Sequence, residues 1–345
     1  MATYDGLFDA LGLRGWCGET TDGPMTMAEL MARARGETVS DDAPLWETPF
    51  PSLDALHESC AAVPRSRDMT EAVENGFLAA KDALKFVLDP ITQPLSWALD
   101  FSLELFQAVP WFVMIPVLTL LTWLAARRIG VTALVAGSLS FLAFINYYDE
   151  AMQTLSIIFV CTIISVALGV PIGIAMSRSD GLRRAVVPIL DMLQTLPTFV
   201  YLVPLIYLFS VTESKLYGIA IILYAIVPVI RLTDLGIRLV DPDVTEAADA
   251  FGMTARQKLW KVEVPLALPN IMAGVNQTIM MSLAMVVIAS LVSAPGLGVK
   301  VLAGIRNLEL GVGLIAGLGI VLLAVMLDRA SKAALERVDR SRGAR

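Results

Sequence analysis

Histidine occurs once among these 345 residues, at His57, and cysteine three times, at Cys17, Cys60 and Cys161. There is no CxxC and no Cys/His cluster, which leaves no ligand set for a structural zinc or other metal. No G-x-x-x-x-G-K-[ST] run is present, so the Gly-rich cradle that would hold nucleotide phosphates is missing. Only 17% of the residues are charged. The apolar runs contain no Ser/His pair, paired aspartates or metal-ligand set, which argues against an intramembrane enzyme. Ionisable residues deep in those runs are scarce too, which argues against the buried carboxylate relay of a proton- or sodium-driven carrier. Asp5, Asp9, Glu19 and Asp22 interrupt the first residues, so no cleavable signal peptide is expected.

What is abundant is apolar surface. Hydrophobic residues make up 56% of the chain and the mean hydropathy is +0.67, too apolar for a soluble domain of this size. The expected fold class is all-α, a polytopic helical membrane protein. Beyond Pro110 the chain divides into seven apolar runs of about 20 residues, the length that crosses a hydrocarbon core of about 30 Å. They lie near 108–126, 129–146, 154–177, 190–210, 216–236, 268–292 and 311–328.

Charge divides the chain as sharply as hydropathy. Residues 1–106 carry 18 acidic and 7 basic side chains, while 107–345 carry 15 acidic and 19 basic. Lysine and arginine are retained on the cytoplasmic side of short loops. With the C-terminus inside, Arg127, Arg128, Arg178, Arg183, Arg184, Arg231, Arg238, Arg256, Lys258, Lys261 and the tail from Arg329 all face the cytoplasm; only Lys215, Lys300 and Arg306 face outward. Seven spans then put the acidic N-terminal segment outside.

Four regions follow: an irregular acidic tail over 1–68, amphipathic segments over 69–106, the membrane domain over 107–335 and a basic cytoplasmic tail over 336–345. One short helix is expected around 25–35. Helical periodicity over 69–88 and again over 91–106 fits two helices lying on the membrane surface or packed on protein. Cys17 and Cys60 can pair if the tail is outside, but two free thiols in a loose segment is the preferred expectation.

Within the runs, Pro171, Pro197, Pro204 and Pro228 free backbone groups that lipid cannot satisfy, so these bends should face protein or a water-filled path. The fourth run, rich in such bends, is the expected path liner. Gly169/Gly173 and Gly313/Gly317 have the spacing of close helix packing. Asp191 is expected in the first turn of the fourth run, and Arg231 and Asp234 are expected to pair across one turn.

Between the fifth and sixth runs, over 241–265, Asp241-Pro242 supplies an N-cap and a first helical position. An Ala-rich stretch follows, and Gly252 offers the left-handed residue that closes a helix. Thr254-Ala255-Arg256-Gln257 is a capping box that opens a second helix, expected to stop at Pro265. Ala247, Ala248 and Ala250 should give the first helix a small-residued face able to enter a groove.

The ordered set Glu246, Ala247, Ala248, Gly252, then Leu268 and Pro269 before a long span resembles the EAA motif of binding-protein-dependent ABC permeases. Pro188 to Pro204, and Pro295-Gly296-Leu297-Gly298 through Leu327-Asp328-Arg329, resemble the glycine betaine/proline betaine subgroup, over about 70–335. The resemblance implies a type I ABC importer transmembrane domain in a bacterial inner membrane. It implies ATPase coupling through Glu246, Ala247, Ala248, Gly252 and Pro269, and a solute path touching Gln194, Thr195, Pro197, Phe199 and Tyr201. The implied partners are a second copy of the chain, two cytoplasmic ATP-binding subunits and a periplasmic substrate-binding protein, with no nucleic acid. This chain would bind no cofactor, since ATP and Mg would sit on the ATPase. The implied solute is glycine betaine, proline betaine, choline, carnitine or trimethylamine N-oxide. An ion-driven secondary osmolyte transporter is the alternative.

Overall fold

A computed structural model of the chain describes Tyr4, Phe8, residues 10–17 and residues 50–343. The helix expected around 25–35 lies outside the described residues. The chain forms two compact units, Met1–Ala83 and Leu84–Arg345.

In the first unit, α1 (Arg14–Cys17) and α2 (Leu53–Ser59) are joined by a disulfide between Cys17 and Cys60. This corrects the expectation of free thiols. Phe8, Cys17 and Cys60 are buried together, with Tyr4, Leu56 and Val63 packed against them. The Ser52 hydroxyl caps α2 by accepting from the Ala55 N–H at 3.3 Å, and Ser59 Oγ accepts from the Tyr4 N–H at 3.1 Å. Asp54 accepts from both the hydroxyl and the N–H of Ser66, and these bonds hold its carboxyl below the usual carboxylate range.

The two surface helices expected over 69–106 are one helix, α3 (Ser66–Ala108), which runs on through Pro90 and Pro94. Its later half is docked on protein. A Cβ at Gly218 would meet the Leu99 and Leu95 side chains, and the buried Ser156 hydroxyl donates to Ser102 Oγ at 2.8 Å.

Four helical stretches are long and apolar enough to cross a membrane: Tyr148–Arg178, Ser214–Arg238, Ala255–Val292 and Leu310–Arg337. The third, fifth, sixth and seventh expected spans fall on them. The first, α4 (Trp111–Ala126), meets α3 at a bend of 113°, and the second is α5 (Ile129–Phe144), an apolar helix of 16 residues. The fourth is not a straight span. There α7 (Asp180–Thr195) and the segment Thr198–Leu208, a 3-10 turn followed by α8 (Leu202–Leu208), meet at 107°. Counting each bent pair as one span gives up to six, with α5 besides. The physical reason for the break is Pro197, which lacks an N–H and drives Leu196 to an extended φ of -64° and ψ of 135°.

Helix α9 (Ser214–Arg238) is the centre of the second unit, packed on α6 (Tyr148–Arg178) and on α12 (Val264–Ala289). Small residues allow the approach. A Cβ at Gly173 would lie 2.6 Å from Thr233 Cβ and 2.7 Å from the Ile230 carbonyl oxygen, so α6 and α9 touch nearly backbone to backbone. Gly313 similarly meets the backbone of Gly304, whereas Gly317 faces open space. After α13 (Leu297–Arg306), α14 (Leu310–Gly343) carries the final span on through the stretch expected as a separate tail.

Candidate functional site

The loop over 241–265 folds as helix, turn, helix. Asp241 caps α10 (Pro242–Ala250) by accepting from the Asp243 N–H at 2.9 Å, with Pro242 where a missing donor costs nothing. The helix closes on Gly252 at φ +73°, while the Met253 N–H returns to the Ala248 carbonyl at 3.1 Å. Thr254 and Gln257 then form the expected capping box at the start of α11 (Ala255–Lys258). Lys258 reaches back to Asp249 at 2.7 Å and staples the two short helices together.

Pro265 does not end the second helix. Leu259–Glu263 forms one widened π turn, in which the Val264 N–H reaches back to Leu259, and α12 continues from there. The proline cannot donate to Lys261, so a wider turn carries the chain past the missing bond instead of stopping it. Pro269 lies in the next turn and is exposed.

The expected small-residued face is divided. Ala248 is 4% exposed, within a helix that packs against the π turn, whereas Glu246, Ala247, Ala250 and Gly252 are exposed. Beside them Phe251 is 84% exposed and Val244 40%. Among the described residues, nothing covers this apolar ring at the C-cap of a short acidic helix. Phe251 lies inside the motif, yet sequence reasoning gave it no role; an aromatic next to the closing glycine was the signal.

The residues before the break stand at the end of α7. Gln194, Thr195, Pro197 and Phe199 are exposed, and Tyr201 is buried with a hydroxyl that has no partner among the described residues. They do not meet the 241–265 loop, which is held at the opposite end of α7.

Two ionic expectations are corrected. Asp191 lies late in α7 and accepts from Arg231, so it caps no helix start. Asp234 pairs with Arg183 of α7 at 3.0 Å and with Arg238 at 2.9 Å, not with Arg231. Opposite charges four apart on α9, and others brought in from α7, took both partners. Arg178, the last residue of α6, pairs with the buried Glu263 of the π turn. Apart from Asp234–Arg238, four apart on α9, these links join residues up to 85 positions apart, and no local spacing announces them.

Residues 165–340 match the family described as "Binding-protein-dependent transport system inner membrane component". The chain is 38% identical over 309 residues to the Escherichia coli (strain K12) glycine betaine/proline betaine transport system permease protein ProW, covering 87% of this chain and 84% of that one. It is 45% identical over 208 residues to the Bacillus subtilis (strain 168) glycine betaine transport system permease protein OpuAB, covering 60% and 72%. Among solved structures, a chain of the inward-facing MetNI methionine ABC transporter superposes with a TM-score of 0.51 at 20% identity, over 56% of this chain and 95% of that one. That likeness concerns the fold alone, which is that of a type I ABC importer's membrane subunit.

Proposed function

Because this chain belongs to the inner membrane components of binding-protein-dependent transport systems, we infer that its 241–265 loop is where ATP hydrolysed on a separate subunit drives solute through the membrane. The observation that carries this reading is an exposed, rigidly capped helix bearing Glu246 and an uncovered Phe251, fixed at both ends to membrane-crossing helices. Such a helix suits insertion into a groove of an ATPase. Glu246, Ala247 and Ala250 face the groove, Gly252 sets the angle, Ala248 seats the helix on its own chain, and Pro269 lies inside the span behind it.

The assembly is two copies of this chain, two cytoplasmic ATP-binding subunits holding ATP and Mg, and a periplasmic binding protein that delivers solute. The basic residues of the loops support a cytoplasmic placement of 241–265 and of the C-terminus. The disulfide supports an N-terminal segment outside, since such bonds persist in oxidising compartments.

The solute is a small methylated-amine zwitterion. The relatives named for glycine betaine and proline betaine support that class. Closure of the ATPases brings the two α10 helices together and opens the path outward; their separation opens it inward. Gln194, Thr195, Pro197, Phe199 and Tyr201 line this path at the break after α7. Phe199, which is exposed, offers the kind of aromatic face that a methylated cation prefers.

The test is uptake of labelled glycine betaine by cells expressing the chain with its ATPase and binding protein. Uptake should persist under an ionophore while ATP is held constant, and stop when ATP is exhausted under a maintained ion gradient. The opposite pattern would mark an ion-driven carrier.

A further inference from the structure

The two ends of the 241–265 loop converge on one place, the corner where α6 passes into α7. On the entering side, Arg238 is the last residue of α9, three positions before the Asp241 cap. It donates to the Met176 carbonyl at 2.9 Å and to Asp180 at 2.8 Å. On the leaving side, Glu263, buried in the π turn, accepts from Arg178. Residues 176–180 are thus held from both flanks of the loop. Just above, the close approach of Gly173 to Thr233 and Ile230 leaves α6 little room to slide on α9.

Helix α7, already held at Asp180 by Arg238, leaves this corner as a bar tied to α9 twice more. Arg183, near its start, donates to Asp234 at 3.0 Å, and Asp191, near its end, accepts from Arg231. Asp234 is 5% exposed and is satisfied by Arg183 on one oxygen and Arg238 on the other. The bar ends at Thr195, where the chain breaks toward Phe199 and Tyr201.

We propose that Arg178–Glu263 and the Arg183–Asp234–Arg238 cluster are the link that passes movement of the coupling helix to the broken segment after α7. In this role Arg178, Arg183, Asp234, Arg238 and Glu263 are positioning residues that touch neither ATP nor solute. A charge buried in such a pair tolerates no drift of its partner, because separation leaves it desolvated and unpaired. The loop and the α6–α7 corner therefore move as one piece. With the link loosened, the coupling helix still follows the ATPase, but α7 no longer follows the coupling helix.

This inference rests on the ATP-driven reading above, and the experiment separates the two. The full complex with its ATPase and binding protein is placed in liposomes, and uptake of labelled glycine betaine and ATP hydrolysis are measured in the same vesicles, per assembled complex. Glu263→Gln and Arg183→Gln should each lower the solute moved per ATP at least about fivefold, the lower end of ordinary coupling between sites, while binding-protein-stimulated hydrolysis stays near wild type. Glu263→Asp, which keeps the charge, should recover most of the ratio. A ratio unchanged in both variants, or complexes that fail to assemble with either one, would overturn the proposal by assigning the pairs no part in coupling or a part in folding only. Absence of ATP-dependent uptake in the wild type would instead sink the underlying reading.

Discussion

Gly252 is one residue on which the geometry of the loop turns. At φ +73° it closes α10, and nothing lies within 4 Å of where a Cβ would stand, so conformation and not crowding reserves the position for glycine. Asparagine adopts this conformation readily, whereas other L-residues pay about 1–2 kcal/mol for it. Gly252→Asn should therefore retain most uptake and Gly252→Val should lose most of it, at equal membrane abundance. Gly173 makes the contrasting case. Its φ is ordinary, but Thr233 and the Ile230 carbonyl occupy the space a side chain needs. Gly173→Val should destabilise the α6–α9 contact by about 1–3 kcal/mol, read as a lower melting temperature of the detergent-solubilised protein. A melting temperature equal to wild type would show that α6 and α9 are not so closely apposed.

Among the elements, the caps and turns of the 241–265 loop were legible because each is a local rule: Asp before Pro, Gly after an Ala-rich run, Thr three residues before Gln. Four membrane-crossing helices were legible for the same kind of reason, uniform apolarity over a bilayer's thickness. The fourth run shows where that logic stops. Hydropathy records that 190–210 is apolar but not that Pro197 turns the chain through 107°. The Pro265 stop failed in the other direction, because a π turn absorbs the missing donor. The N-terminal helices depended on a partner that spacing does not reveal, since Cys17 and Cys60 stand 43 residues apart. Closing a loop of that length restricts the unfolded chain by about 4 kcal/mol, a large term beside the cluster that Phe8, Cys17 and Cys60 form among the described residues. With the N-terminal segment outside, as proposed, Cys17→Ser should make that unit readily cleaved by protease added outside the membrane, while residues beyond 84 stay protected as in wild type. Equal protease resistance with and without the disulfide would count against a stapling role.

For the molecule as a whole, composition indicated a membrane protein and the loop motif pointed to a transport subunit. The long-range charge pairs that bind loop to bundle became visible only in three dimensions, because α6, α7, α9 and the π turn contribute their members separately. On the proposed reading, close-packed helices hold the frame, the bent segment after α7 stands at the path, and the exposed helix α10 receives force from outside the chain. The most direct measurement of that claim replaces Glu246 with lysine and follows labelled glycine betaine uptake and ATP hydrolysis in liposomes containing the complete assembly. Glu246→Lys should abolish uptake with the chain still folded and inserted. Uptake at the wild-type rate would contradict the account, because the helix carrying Glu246 would then not be where the ATPase acts.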